Sequence, residues 1–215
     1  MLKARLQKIS NLVRGGAVLC DIGTDHADLV VDLLKRDKIK FAYACDLREK
    51  PLQNAKMNLE NAGLYGKFSC ILSDGFENLK DKEDITDIVI SGLGGETIID
   101  ILKDCPFLNK SNINFILSPQ SKAEKLRAFL NENKHQFTED TEDDSGKKYL
   151  IIVSKYSGKK ENLDLKREFF GTTNDLQYKK SVYNMIQKRL KNKDYEKDRR
   201  EELINLLKEV KNDYS

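Results

Sequence analysis

The sequence contains no apolar run approaching the roughly 20 residues that a helix needs to cross a bilayer. Its first ten residues are basic and amphipathic, and they lack the apolar segment of a signal peptide. The four cysteines show no C-x-x-C spacing, and only His26 and His135 could complete a metal site. These absences argue against a membrane protein, a metalloprotein and a disulfide scaffold, and we expect reduced, buried thiols in a cytoplasmic protein.

The dinucleotide fingerprint G-x-G-x-x-G is also missing. The apolar run at residues 17–20 leads into Asp21, Gly23 and Asp25, so only one of the three glycines is present. A nicotinamide-dependent oxidoreductase is therefore disfavoured. A glycine flanked by carboxylates suits a pyrophosphate poorly, because that group prefers bare N–H donors and positive charge. It suits a cofactor that carries positive charge and a ribose, such as S-adenosylmethionine.

Short apolar runs alternate with helical patterns along residues 1–156. The strands are predicted at residues 17–20, 41–45, 68–72, 85–90, 113–117, 137–142 and 148–154. The helices are predicted at residues 2–13, 26–36, 51–62, 96–103 and 122–131. This alternation predicts a parallel sheet with helices on both faces, and the last two strands predict an antiparallel hairpin. Residues 1–156 are thus expected to form an α/β domain with a seven-stranded, Rossmann-like methyltransferase sheet.

The remaining residues, 157–215, contain no strand-like run and predict an α-helical coiled-coil hairpin. From Lys155 onward there are 16 basic and 11 acidic residues, whereas residues 1–154 carry 22 basic and 24 acidic residues. A basic appendage on a slightly acidic domain fits a polyanionic partner. A solvated coiled coil with excess lysine explains the same charge equally well, so charge alone leaves both possibilities open.

Polar residues follow each of the first four predicted strands, and parallel strands bring their carboxyl ends to one crevice. Asp46 lies 25 positions after Asp21, close to the spacing at which an acid holds ribose hydroxyls. Asp74 is expected to accept a hydrogen bond from an adenine amino group, and the glycine loop 92–95 to lie along the methionine portion. The predicted S-adenosylmethionine site comprises Asp21, Gly23, Thr24, Asp46, Leu47, Ser73, Asp74, Gly75, Gly92, Leu93 and Gly94.

Residues 21–27 read DIGTDHA, residues 73–75 read SDG and residues 91–95 read SGLGG. This set resembles the bacterial tRNA adenine-N1 methyltransferases that modify adenine 22, the TrmK family. Further similar segments extend the resemblance over nearly the whole chain. It implies a Rossmann-like methyltransferase domain and a C-terminal coiled coil that helps to hold tRNA. The chain departs from the usual family pattern at Asp28, Val30 and Leu93, and at residues 118–120, which read SPQ where QPN is usual.

The implied reaction is methyl transfer from S-adenosylmethionine to adenine N1, which has a free lone pair and needs no base to activate it. Catalysis should then rest on positioning and electrostatics, with the adenine exposed or flipped out. Asp25 and Asp28 are the candidates for stabilising the cationic product, and His26 for contacting the base or cofactor. Alternatively, Asp25 caps the following helix, Asp28 faces solvent and His26 has a structural role.

Cationic residues and the loops near the crevice are the candidates for binding tRNA in what we expect to be a monomer. The predicted substrate-binding residues are Arg5, Arg14, Gly95, Glu96, Pro119, Lys179, Lys188 and Arg189. The same fold also permits a methyltransferase of another RNA or of a small molecule, or a non-catalytic RNA-binding protein, because a fold does not name a substrate.

Overall fold

The computed structural model describes residues 2–214. The strands are β1 (Ala17–Ile22), β2 (Ile39–Asp46), β3 (Phe68–Leu72), β4 (Asp87–Ser91), β5 (Asn114–Ser118), β6 (His135–Asp144) and β7 (Lys147–Tyr156). The α-helices are α1 (Ala4–Leu12), α2 (Asp28–Lys35), α3 (Glu49–Asn61), α4 (Gly95–Lys103), α5 (Ala123–Glu132), α6 (Leu165–Phe170), α7 (Leu176–Arg189), α8 (Arg200–Glu209) and α9 (Lys211–Tyr214). A short 3-10 helix covers Glu77–Leu79.

The seven strands form one sheet in the order β3-β2-β1-β4-β5-β7-β6. The first five strands in this order are parallel, while β7 runs antiparallel to both β5 and β6. The predicted seven-stranded methyltransferase sheet is thereby confirmed. The strand order reverses direction between β1 and β4, and doubly wound sheets bind their ligands at such a point.

Successive residues of the central strands point to opposite faces, and each face has its own apolar core. Leu19 of β1 and Ile116 of β5 pack with helices α1, α2 and α3. Their chain neighbours Cys20 and Phe115 pack on the other face, under α4, α5 and the C-terminal helices. Apolar side chains on both faces explain why the strands read as unbroken hydrophobic runs.

Helix α2 begins at Asp28, two residues later than the pattern predicts. Asp25 and Ala27 both have a positive φ, of 50° and 56°, which is incompatible with the helix. Ala27 occupies the N-cap position, and no side chain caps the helix. The alternative role of Asp25 as a helix cap is therefore wrong, which leaves its carboxylate available for another function.

Residues 157–214 are helical, as expected, but form four helices where the pattern indicated two. Their apolar side chains extend the core beneath the sheet: Phe170 of α6, Ile186 of α7 and Leu203 of α8 belong to the same cluster as Phe115 and Leu126. The C-terminal helices thus pack on one face of the sheet, and they are not only an appendage that projects from it.

In the described part of the chain, no helix is both long and apolar enough to cross a membrane. All four cysteines are free; Cys20, Cys45 and Cys105 are buried, and Cys70 is half-buried. Burial raises the pKa of the Cys105 thiol to about 12 and that of the Cys70 thiol to about 11. These two thiols therefore stay protonated at neutral pH and are poor nucleophiles.

Candidate active site

A cavity of about 1290 Å³ opens at the carboxyl ends of β1, β2, β3 and β4. It collects residues from four separate strand ends that the sequence predicted to converge. The predicted site residues that line it are Arg5, Asp21, Gly23, Thr24, Asp25, His26, Asp28, Asp46, Leu47, Ser73, Asp74, Gly75, Gly92 and Leu93.

Asp21 is one of two buried carboxylates that line this cavity. It is 6 % exposed, and its Oδ2 accepts a hydrogen bond of 2.8 Å from the hydroxyl of Thr24, which is also buried. Burial raises the pKa of Asp21 to about 6, whereas the Thr24 hydrogen bond lowers it and the charge of Asp46 raises it. A desolvated carboxylate at the end of a strand gains by contacting a cationic ligand.

The turn after β1 does not offer its N–H groups to a phosphate. The backbone N–H groups of Gly23 and Thr24 both donate to the carbonyl of Cys45, each at 2.9 Å. Gly23 adopts a φ of 78°, which a glycine accepts without strain. The turn therefore holds β1 against β2 and leaves carboxylates, not N–H donors, facing the cavity.

The end of β2 presents one buried acid and one exposed apolar side chain. Asp46 is 5 % exposed, and its Oδ1 accepts the backbone N–H of Arg48 at 3.0 Å. Leu47 is 63 % exposed, although its side chain is apolar. An acid that accepts hydroxyl hydrogens beside an apolar surface is the combination that a ribose and its base require.

The loop after β3 is held by its own hydrogen bonds. The Ser73 hydroxyl donates to the carbonyl of Gly75 at 3.0 Å and accepts the N–H of Asn78 at 3.1 Å. Gly75 packs closely on α4, since a Cβ there would lie 3.3 Å from Ile101 Cγ2. Asp74 remains exposed at the cavity, so its carboxylate is the polar group of this loop that is accessible to a ligand.

Asp25, His26 and Asp28 form the exposed wall of the cavity between β1 and α2. The His26 Nε2 lies 3.8 Å from the Asp25 Oδ2, beyond hydrogen-bonding distance. The carbonyl of His26 accepts a hydrogen bond of 3.0 Å from the Asn58 side chain, which fixes the loop to α3. This wall brings two carboxylates and an imidazole to the cavity without committing them to internal hydrogen bonds.

The glycine loop after β4 divides into two parts. Gly92 and Leu93 line the cavity, while Gly94 and Gly95 do not. A Cβ on Gly95 would lie 2.5 Å from the carbonyl oxygen of Lys122, so this glycine allows α4 to pack on the next loop. Glu96 does not line the cavity either and forms an ion pair with Lys125. Gly94, Gly95 and Glu96 therefore lie outside the cavity lining, and Gly95 lies where α4 packs on the loop before α5.

The remaining predicted substrate residues lie away from the cavity. Pro119 lines a separate groove of about 180 Å³ beside α7. Lys179, Lys188 and Arg189 belong to α7, and Arg189 pairs with Glu124 at 2.7 Å. None of these four residues lines the cavity.

The structure corrects the predicted position of Arg14. Its Nε donates to Asp87 Oδ1 at 2.8 Å, and its backbone N–H donates to Oδ2 of the same residue at 3.1 Å. Asp87 is the first residue of β4 and fully buried, so this pair lies at the amino end of the strand, opposite the cavity. The expectation that Arg14 lies near the crevice is therefore wrong, because its guanidinium pairs with a buried acid at the other edge of the sheet.

Other residues that line the cavity were not among the predicted site residues. Gln120 lines both the cavity and the second groove, and its backbone N–H donates to the Leu93 carbonyl at 2.9 Å. Asp100 of α4 and Asp104, the residue directly after this helix, also line the cavity. Gln120 follows β5 directly and could have been found by extending the strand-end argument to the fifth strand. Asp100 and Asp104 face the cavity only because of how α4 packs.

The cavity is acidic: eight of its lining side chains are carboxylates and four are lysines or arginines. The excess of carboxylates suits the positive sulfonium and ammonium groups of S-adenosylmethionine. The buried acid Asp46 suits its ribose, and the exposed Leu47 suits its adenine. Among residues 2–214, no cluster of three or more His, Cys, Asp or Glu side chains could hold a metal ion.

Comparisons with known proteins agree with this geometry. Residues 2–152 match the model of the methyltransferase domain family. The tRNA (adenine(22)-N(1))-methyltransferase of Bacillus subtilis is 30 % identical over 154 residues, which cover 71 % of this chain and 64 % of that protein. The match thus spans less than two thirds of that relative's length.

Two solved structures resemble the whole chain. M. capricolum TrmK, in complex with S-adenosyl-homocysteine, is 30 % identical with a TM-score of 0.82, covering 99 % of this chain and 97 % of that one. A putative tRNA (m1A22) methyltransferase of Streptococcus pneumoniae, in complex with S-adenosyl-L-methionine, is 28 % identical with a TM-score of 0.82, covering all of both chains. The chain therefore belongs to the methyltransferase domain family and, within it, to the TrmK-like Rossmann methyltransferases.

Proposed function

We propose that the chain is an S-adenosylmethionine-dependent tRNA methyltransferase that acts on N1 of adenine 22. The observation that carries this proposal is the acidic cavity at the strand-order reversal, with Asp21, Asp46 and Asp74 at three successive strand ends. The likeness to TrmK in complex with S-adenosyl-homocysteine supports the same cofactor chemistry. The similarity to the Bacillus subtilis enzyme supports the same nucleotide.

The cofactor supplies an electrophilic methyl group on a sulfonium. The chain's own residues hold and orient it: Asp46 accepts the ribose hydroxyls, Asp74 the adenine amino group, and Asp21 faces the positive charge of the methionine end. Leu47 covers the apolar face of the adenine. A second ligand would enter the part of the cavity that these contacts leave open.

The target adenine uses its N1 lone pair to form the new N–C bond as the C–S bond breaks, and the modified base becomes cationic. No proton has to leave N1, so no residue acts as a general base in this step. Asp25 and Asp28 lie at the exposed wall, and we assign to them the stabilisation of the developing positive charge. His26, between them in the chain, is assigned a contact with the base.

The RNA approaches from the side on which α7 lies. Residues from Lys155 onward carry an excess of five positive charges, which attract phosphates over a Debye length of about 10 Å. Exposed Lys188 and Lys180 of α7 are the side chains available to phosphates, whereas Arg189 is bound to Glu124. Adenine N1 is paired or stacked in folded RNA, so the nucleotide must flip out to reach the cavity. We expect the protein to act as a monomer, in the cytoplasm where tRNA is modified.

The test is methyl transfer from labelled S-adenosylmethionine to an unmodified tRNA transcript, followed by digestion and mapping of the labelled nucleoside. The matched control is the same transcript with guanine in place of adenine 22. We expect labelled 1-methyladenosine with the first transcript and none with the second. Label at another nucleotide, or in both transcripts equally, would overturn the assignment of adenine 22.

A further inference from the structure

Arg5 has a guanidinium whose hydrogen-bonding capacity is not satisfied within the chain. Its Nε and Nη1 are buried without a hydrogen-bond partner, and across residues 2–214 only one other buried side-chain nitrogen or oxygen, the Arg167 Nε, shares this state. Burying charged donors without partners is unfavourable, because no hydrogen bond replaces the lost contact with water. Since Arg5 also lines the cavity, a ligand carrying an acceptor is the natural partner.

The position of the guanidinium is fixed by its neighbours. Its Cζ lies 4.9 Å from the centroid of the Tyr149 ring, a cation–π contact. Its Nη1 lies 3.6 Å from the point where a Cβ on Gly92 would be, which places the guanidinium directly beside this glycine. Gly92 itself directly follows β4, and Leu93 lies 4.0 Å from the corresponding point on Gly23. Arg5 is thus held at the β1–β4 crevice.

The order of the strands decides which part of the cofactor reaches this crevice. Asp74 follows β3 and Asp46 follows β2, so the adenine and ribose lie toward that side of the sheet. The methionine portion must then extend toward β1 and β4, where Asp21 provides negative charge for the α-ammonium group. The α-carboxylate needs a cation at the same end. Of the other cavity cations, Arg48 and Lys80 follow β2 and β3, and Lys3 is exposed just before α1.

We propose that Arg5 binds the α-carboxylate of S-adenosylmethionine and thereby selects the intact amino-acid end of the cofactor. The planar guanidinium can donate two parallel hydrogen bonds to a carboxylate, one from Nη2 and one from Nε or Nη1, so that a buried N–H group acquires its missing acceptor. The proposal rests on the cofactor assigned under the proposed function and replaces the expectation that Arg5 contacts RNA.

The test compares S-adenosylmethionine with its decarboxylated analogue by calorimetric titration of the full chain without RNA. The analogue keeps the sulfonium and the amino group but has one more net positive charge. If only the overall acidity of the cavity mattered, the more positive analogue would bind more tightly. If a cation in the cavity binds the carboxylate, S-adenosylmethionine binds more tightly instead. For the unaltered protein, we expect S-adenosylmethionine to bind about 10- to 100-fold more tightly than the analogue.

Two variants test whether the guanidinium of Arg5 causes this preference for S-adenosylmethionine. Arg5→Met keeps an unbranched side chain against Tyr149, and it should abolish the preference by weakening only the binding of S-adenosylmethionine. Lys3→Met removes the exposed cavity-lining lysine at the start of the same helix, and it should keep the preference.

Equal binding of both ligands by the unaltered protein would refute the proposal without any substitution, so a misfolded variant cannot mask the answer. An undiminished preference in Arg5→Met would refute it as well. So would an equal loss for both ligands, since Arg5 would then only shape the cavity. Because RNA is absent, failure here leaves the mapping of the methylated nucleoside unaffected, and failure of that mapping leaves this binding result intact.

Discussion

The Arg127 Nε donates to the Glu139 Oε1 at 2.6 Å, and neither side chain has any exposed surface. The same guanidinium donates to the carbonyls of Glu168 and Phe169, each at 3.0 Å, and to the Tyr178 hydroxyl at 3.1 Å. One buried arginine therefore joins α5 and β6 of the methyltransferase domain to α6 and α7 of the C-terminal segment.

Arg127→Met should strongly destabilise the fold, because it leaves Glu139 buried without its partner. We expect a loss of about 3–5 kcal/mol in the free energy of unfolding, measured by urea denaturation. Lys67→Met, which removes an exposed ion pair with Asp37, should cost less than about 1 kcal/mol. Equal losses in the two variants would contradict a structural role for the buried pair.

The lysines of α7 are best tested by surface substitutions, because ending the chain at residue 156 would uncover the core that Phe170 and Ile186 fill. We expect Lys180→Glu combined with Lys188→Glu to weaken tRNA binding, and to reduce the slope of log affinity against log salt by about 1–2. Lys35→Glu, on an exposed position of α2, serves as the control for a change of charge. Unaltered affinity and slope in the double variant would exclude α7 from the RNA surface.

Binding of S-adenosylmethionine should weaken as the pH falls through the pKa of Asp21, which burial raises to about 6. Above this value the carboxylate is charged and attracts the cationic cofactor; below it the carboxyl is neutral. A binding mode that requires the carboxylate becomes about tenfold weaker one unit below the pKa. Equilibrium dialysis between about pH 5 and pH 8 measures this dependence.

Asp21→Asn is the variant matched to that measurement. It should bind the cofactor weakly at every pH, with a nearly flat profile, because an amide does not titrate. A variant that retains the slope of the unaltered protein would assign the titration to another group.

Asp25→Asn should lower the rate of methyl transfer while leaving cofactor affinity near normal, because Asp25 is assigned to the base side of the cavity. We expect a loss of about tenfold or more in single-turnover rate with tRNA. Asp28→Asn, made in parallel, tests the second carboxylate of the same wall. A rate equal to that of the unaltered protein in Asp25→Asn would remove Asp25 from the mechanism.

The sequence by itself determined the sheet and the acids that line the cavity at its strand ends. Short apolar runs locate the strands, and a polar residue after a buried strand must lie at its exposed end. Asp21, Asp46 and Asp74 therefore reach the cavity through local pattern alone. The alternation of strands and helices then makes the strands parallel, which gathers these acids at one edge.

Only the tertiary structure determined the partners of the long cationic side chains and the packing of the C-terminal helices. Arg14 pairs with Asp87, 73 positions away, while Arg5 reaches the cavity from the same helix region. Arg127 is buried by helices more than 40 positions downstream. A flexible charged side chain takes its place from partners distant in the chain, so no local spacing of residues could distinguish a ligand-binding arginine from a structural one.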